Sequence, residues 1–204
     1  ACAIFREEAP FLREWIEFHC GVGFTHFYLY NNFSTDDFRQ SLAPFIRDGL
    51  VTLVDWPVDV GQLPAYRDCL RRHSHDARWI GFFDIDEFVF SPVQRDIRPI
   101  MAEFEDYPGV HVWQYFFGTG GNATRPVAPL LDSFTRRAPW TTRTTVKTIV
   151  NPRAVHRVGV HTSKFLWRHS VDTLGRRVED GTPPVFDLLR MNHYWSRSLE
   201  DLDQ

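Results

Sequence analysis

Asp84, Asp86 and Glu87 close the most apolar run of the chain, Arg78 to Phe90, which reads RWIGFFDIDEFVF. On an extended backbone, residues two apart face the same side, so the spacing predicts that the Asp84 and Asp86 carboxylates stand together. Such a pair repels itself and resists desolvation, and it is stable when a cation or a shared proton sits between its members. A divalent metal suits that place: oxygen ligands alone fit Mg²⁺ or Mn²⁺, and a histidine in the shell favours Mn²⁺. The plainer alternative is an acidic surface turn. Against it stand Trp79 to Phe83 before the acids and Phe88, Val89 and Phe90 after them, the content of a buried strand whose carboxyl end is where open α/β sheets bind ligands.

Other residues are graded against this pair. His193 ends a predicted strand and precedes Arg197 by four residues, so one segment offers an imidazole for a metal and a guanidinium for a phosphate; a structural histidine between aromatics explains it equally well. His161, at another predicted strand end, is its rival as metal ligand. Arg6 and Glu8 follow the first strand, and Asn31, Asn32, Ser34 and Asp36 follow the second, with groups suited to a ribose or a base. Surface charge and ordinary turn chemistry are the competing explanations. Gly118, Gly120 and Gly121 allow a substrate close to the backbone, and aromatics such as Phe117 and Trp195 offer faces to a sugar ring.

The elements that must hold these groups alternate in type. Cys2 to Phe5 reads as a strand, and Pro10 then opens a helix carrying Phe11, Leu12, Trp15, Ile16 and Phe18 until Gly21 and Gly23. Thr25 to Tyr30 and Val51 to Trp56 read as strands, with Leu42 to Ile46 helical between them. A helix from Pro64 to about Asp76 leads into the central strand at Trp79 to Phe83. This order predicts parallel crossover units and a Rossmann-like first half. Neither GxGxxG nor GxxxxGK[ST] is present, so a dinucleotide fold and a P-loop are not supported. Beyond Ser91-Pro92, Ile97 to Phe104 reads as a helix. Val110 to Phe117, Leu130 to Thr135, Thr145 to Val150, Val155 to Val160 and Leu188 to Trp195 read as strands in a more antiparallel half, with Arg136, Arg137, Arg143 and Lys147 near them and a polar excursion over Arg168 to Pro184. The expected fold is α/β, a mixed sheet flanked by helices.

Composition bounds the rest. With 204 residues, 43% of them hydrophobic, the chain has material for one domain and its core. A net charge of -3 argues against a nucleic-acid binder driven by phosphate neutralisation. Cys2, Cys20 and Cys69 lack metal-ligand spacing and read as reduced thiols of a cytoplasmic protein. The excess of arginine over lysine points to a bacterial source. No run is long enough to span a bilayer; Ala1 opens directly on a strand, so the expectation is a piece of a longer protein, held at the inner membrane, if at all, through parts outside this chain.

At this point five stretches carry a resemblance: REEAPFLREWIEFHCGVGFTHFYLYNNFSTDD, QLPAYRDCLRRHSHDARWIGFFDIDEF, FFGTGGN, KTIVNPRAV and NHYWSRS. The chain resembles the GT-A fold glycosyltransferases, most closely glycosyltransferase family 92 and its bacterial family-2-like relatives. The resemblance implies a single GT-A domain over 1–204, with a nucleotide-binding half over 1–92 and an acceptor-binding half over 93–204. It implies inverting transfer of a sugar from a nucleotide donor, a UDP-sugar, to a glycan or glycoconjugate. Asp84 and Asp86 match the DxD motif that holds Mn²⁺ (or Mg²⁺) against the donor diphosphate, where a cation stabilises the departing charge. His193 matches a late metal-binding histidine, and Arg197 stands where the family more often has lysine. The implied nucleotide-binding set is Arg6, Glu8, Asn31, Asp36, Tyr66, Asp68, Ile85 and Arg197. The general base that inversion requires is sought in Asp132 or Asp187. A haloacid-dehalogenase-like phosphatase, with Asp84 and Asp86 as nucleophile and acid, and a non-catalytic sugar-binding relative are the alternatives.

Overall fold

The computed structural model describes residues 1–139 and 145–202. The chain opens with β1 (Cys2–Phe5), α1 (Ala9–Gly21), β2 (Phe27–Asn31), α2 (Phe38–Arg47), β3 (Val51–Asp55) and α3 (Gln62–His73). These three strands form a parallel ladder in the order β1-β2-β3. Their side chains alternate as a pleated strand requires. Ala3, Phe5, Phe27 and Leu29 join the cluster built on α1 and α2, whereas Cys2, Tyr28 and Tyr30 join one built on Ala65, Tyr66 and Cys69 of α3. The sheet is therefore covered on both faces, as the crossover pattern predicted.

A parallel bridge between Cys2 and Phe82 carries the ladder into the second half. There β4 (Ile80–Gly81), β5 (Glu87–Phe90), β6 (Gly109–Phe116), β7 (Val146–Val150) and β10 (Arg190–His193) lie in the order β4-β7-β6-β10-β5. All pairings are antiparallel except β6 with β10. Between β5 and β6 lies α4 (Arg98–Ala102), between β6 and β7 lies α5 (Leu130–Ser133), and β8 (Val155–Arg157) with β9 (Lys164–Phe165) makes a small hairpin before α6 (Leu199–Leu202) closes the chain.

The two outer strands of this group, β4 and β5, are joined by only five residues. Four inter-strand steps span about 19 Å in a flat sheet. Extended chain from Gly81 to Asp84 plus one tight turn covers roughly 17 Å. The strands consequently curl, and the β4–β5 connection passes over their ends.

Several sequence expectations change here. Trp79 to Phe83 is a strand only over Ile80–Gly81 and the Phe82 bridge. Asp84 and Asp86 lie in a turn closed by Glu87 N–H donating to Asp84 O at 3.1 Å, so they do not share one side of an extended strand. Leu130 to Thr135 is helical at Leu130–Ser133, because the Glu14 carboxylate accepts the Leu130 and Leu131 N–H groups at 2.7 and 3.0 Å and so caps a helix start. Val155 to Val160 shortens to β8, and α3 ends at His73. Arg143 lies outside the described residues.

Candidate active site

The site is built on the Asp84–Glu87 turn. Ile85 is buried beneath it, and the Trp15 indole of α1 donates to Asp84 O at 3.1 Å and Glu87 O at 3.0 Å. Glu87, fully buried at the start of β5, accepts the Asp84 N–H at 3.0 Å. One side-chain carboxylate thus fastens the turn that carries the other two acids.

Each carboxylate has its own partner. Lys147 of β7, also fully buried, places Nζ 2.8 Å from Asp84 Oδ2 and 3.1 Å from Glu87 Oε2. Asp84 Oδ1 accepts from Gln62 Nε2 at 2.9 Å, with the Tyr66 hydroxyl 3.5 Å away. Glu87 Oε1 accepts from Gln114 Nε2 of β6 at 2.5 Å, and Gln114 in turn accepts from Thr145. Asp86 faces β10: its Oδ2 lies 3.3 Å from His193 Nε2, and Asp86 O accepts the Tyr194 N–H at 2.9 Å. The ring nitrogen His193 Nδ1 is buried with no hydrogen bond among the described residues, 3.6 Å from Glu87 Oε1.

These contacts set the charge states. Burial pushes the Glu87 carboxyl up, to about 7, against the opposing charge of Lys147. Burial alone would lower Lys147, but the Glu87 and Asp84 charges outweigh it and hold the ammonium above its ordinary value. For His193 burial is likewise outweighed, by the hydrogen bond and charge of Asp86, and the imidazole titrates higher than usual. Burial raises Asp86, yet His193 and the nearby Arg197 charge bring it below the usual carboxylate range.

The remaining candidates separate into near and spent. Arg197, in the left-handed region at φ 43°, donates Nη1 to Glu8 Oε2 at 2.7 Å and stacks 3.9 Å from the Phe11 ring centroid, beside Asp86. His161 is exposed; burial of its ring and the Lys147 charge lower it, with smaller effects of Asp84 and His193, so it borders the cluster. Arg6 is exposed and has no hydrogen bond or ion pair among the described residues. By contrast, Asn31 donates to Asp55 and accepts from Ser34 N–H, and Asp36 accepts the Ala9 N–H at 2.7 Å, so both serve local turns and the start of α1. Asp68 takes Arg71, Arg72 and the Tyr30 hydroxyl, Ile85 is core, and Tyr66 is buried with its hydroxyl toward Gln62 and Asp84.

The two candidate bases lie outside the cluster. Asp187 accepts from Thr173 at 2.8 Å and precedes β10 at the end opposite His193. Asp132 is exposed on α5 with no hydrogen bond or ion pair among the described residues. Around the mouth, Phe117 stacks on Tyr194 at 4.7 Å, Gly118 has open space where a Cβ would stand, Gly120 and Gly121 take φ 61° and 95°, and Trp195 is 60% exposed. Sequence reasoning passed over Gln62, Gln114 and Trp15, and noted Lys147 only as a nearby charge. A signal for Lys147 did exist: it is one of two lysines in the chain and interrupts the β-branched run VKTIV.

With this geometry in view, a family model described as glycosyltransferase family 92 matches residues 2–179. The chain belongs to glycosyltransferase family 92. A family 92 protein of Ricinus communis is 28% identical over 74% of the chain, and a galactan β-1,4-galactosyltransferase of Arabidopsis thaliana is 30% identical over 76%. The chain spans 28% and 33% of the length of these two relatives. Among solved structures, Staphylococcus aureus TarS 1-349 in complex with UDP-GlcNAc superimposes with a TM-score of 0.51 at 11% identity, over 75% of this chain and 45% of that one. That likeness concerns the fold, an α/β GT-A-type mixed sheet. The family 92 signature thus covers the turn, Lys147 and the groups that surround them, while His193 and Arg197 lie beyond the matched residues.

Among the described residues no group of three or more His, Cys, Asp or Glu is disposed to hold an ion. Both oxygens of Asp84 are taken by Lys147 and Gln62, so the positive charge that the sequence argument demanded is supplied to Asp84 by the chain itself. Asp86 and His193 are a carboxylate and an imidazole of the type that suits Mn²⁺, and the buried Nδ1 of His193 has no hydrogen bond of its own among the described residues.

Proposed function

We propose that this chain is the donor-binding part of a metal-dependent inverting glycosyltransferase that moves a sugar from a nucleoside diphosphate, UDP in the first instance, to a glycan. The observation that carries the reading is the Asp86–His193 pair, set on a turn across the carboxyl ends of the sheet and backed by Arg197. Membership of family 92, a relative named as a galactosyltransferase and a fold neighbour crystallised with UDP-GlcNAc support the donor class. Family membership leaves the phosphatase alternative without support.

Asp86 and His193 would hold a divalent ion, which, when bound, supplies positive charge to the diphosphate as it departs. The chain's own groups have separable tasks. Lys147 bridges Asp84 and Glu87 and so holds the shape of the turn. Arg197, held by Glu8 and Phe11, brings a guanidinium whose charge is felt at Asp86, and would be available to phosphate oxygens there. Trp195 and Gly118 leave open surface beside the cluster for an acceptor sugar.

Thermal unfolding with UDP tests this directly. At saturating UDP and Mn²⁺ the midpoint rises by roughly 5 °C or more, as expected for a ligand far above its Kd on a domain of this size. EDTA abolishes the rise, and so do Asp86→Asn and His193→Ala. An equal rise in EDTA removes the metal from the reading, and no rise with any nucleoside diphosphate removes the reading itself.

A further inference from the structure

A second concavity, about 710 Å³, lies between α3 and the segment after β7. Its charge is one-sided. Arg67, Arg71, Arg153 and Arg157 line it with His75 and His156, and no carboxylate lines it, in a chain whose net charge is -3. Arg67, Leu70, Arg71 and Ser74 are spaced i, i+3, i+4 and i+7, one face of α3. The carboxylate nearest in sequence, Asp68, is turned into the protein, where it holds Tyr30, Arg71 and Arg72. Arg67, Arg153 and Arg157 have no ion pair among the described residues. Arg71 has the Asp68 carboxylate, but the other three guanidinium groups bring uncompensated charge to one groove, and a carboxylate or phosphate bound among them relieves the repulsion with fork-like hydrogen bonds.

The placement says what kind of anion fits. Gln62 at the start of α3 touches Asp84, and Lys147 of β7 touches both Asp84 and Glu87, so both walls of the groove grow out of the transfer site and lead away from it. Arg67 stands five residues along α3 from Gln62, on the order of 8 Å. Leu70, Val155 and Val158 give the floor an apolar strip. No Phe, Tyr or Trp lines it for a base to stack on, as single-stranded nucleic acid would use, and a recessed set of cations is poorly shaped for a flat lipid surface. We propose that this groove binds an acidic sugar chain, one bearing carboxylate or phosphate groups, as part of the acceptor. The assignment rests on the transferase reading, but its test needs neither donor nor metal.

Binding is measured by calorimetry in EDTA at low salt, with hexagalacturonate, phosphorylated maltohexaose and plain maltohexaose as probes. At least one acidic probe binds about tenfold or more tightly than maltohexaose, and the tighter of the two identifies the anion. Binding weakens with added salt. Arg67→Glu with Arg153→Glu lowers it by about tenfold or more, whereas Arg47→Glu, an exposed site on α2 away from the groove, leaves it unchanged. Unchanged melting points confirm that these exposed substitutions keep the fold. Equal binding of maltohexaose, undiminished binding by the double variant, or tighter binding to vesicles one-third phosphatidylglycerol or to single-stranded DNA overturns the proposal. Loss of the UDP response with the groove intact would instead overturn the donor reading alone.

Discussion

Two turns at the carboxyl ends of the strands are rich in acids and amides, and they use them in opposite ways. In the turn after β2, Asn31, Asn32 and Asp36, together with Glu7, meet mostly backbone groups: Asn32 donates to Trp56 O and Val58 O, Asp36 accepts from Ala9 N–H, and Glu7 accepts from Thr35 N–H. In the Asp84–Glu87 turn the acids meet Lys147 and His193, side chains that carry charge. A backbone partner is neutral and fixed, so it consumes a side chain for structure. A charged partner leaves each group dependent on the other, and the pair can be exchanged for a ligand. Polar residues in the first turn therefore shape the fold, and those in the second remain open to chemistry.

The contrast is broken most severely at Lys147. Replacing it by Met strands Asp84 and Glu87 without their shared cation, and breaking a buried ion pair from one side destabilises by about 3–5 kcal/mol. Urea denaturation at neutral pH measures the loss. Combining Lys147→Met with Glu87→Gln removes the buried charge as well and recovers much of it. A loss below about 1 kcal/mol in the single variant would mean that the ammonium does not hold the turn.

This difference was only half legible in the sequence. The place of Asp84 and Asp86 at the end of an apolar run and the helix opened by Pro10 follow from residue types and neighbours alone, since proline presets its own φ. The shape of the Asp84–Glu87 turn does not, because the indole that pins it is 69 residues away and the lysine that neutralises it 63 residues away. In the same way Leu130 to Thr135 has strand-like content, and the Glu14 carboxylate 116 residues earlier makes its start a helix. At Asn31 and Asp36 the sequence left two readings open, a ribose ligand and ordinary turn chemistry. In the fold their partners are the nearest backbone N–H and side-chain groups, the arrangement that ordinary turn chemistry produces.

Two histidines sharpen the comparison at intermediate scale. His19 is buried between backbone groups, with Nδ1 2.8 Å from Trp15 O and Nε2 accepting the Val89 N–H at 3.3 Å. Only the neutral ring with hydrogen on Nδ1 satisfies both, and burial takes its pKa down to about 3. Its folded value is depressed, so below about pH 6.5 the unfolded chain takes up a proton that the folded chain refuses. Stability is full above that pH and falls as pH drops toward 3, by up to ~1.4 kcal/mol per pH unit. His19→Gln removes this slope in urea titrations at a series of pH values. In NMR, His193, raised by Asp86, titrates above its ordinary value while His19 stays neutral to below pH 4. A His19 ring that titrates near 6.5 would contradict the geometry.

The smallest effect concerns Asp36. If its carboxylate serves α1, Asp36→Ala loses the hydrogen bond to Ala9 N–H and costs about 1 kcal/mol, while Asp36→Asn, which keeps an acceptor oxygen, recovers most of that. Both variants keep the UDP response, because neither touches the Asp86–His193 pair. Asp86→Asn inverts the pattern: a largely buried carboxylate becomes an amide of the same shape, its ion pair with His193 is lost, and the UDP response disappears. Should Asp36→Asn keep full stability yet lose nucleotide binding, the first turn would hold a ligand after all, and the division between the two turns would fall with it.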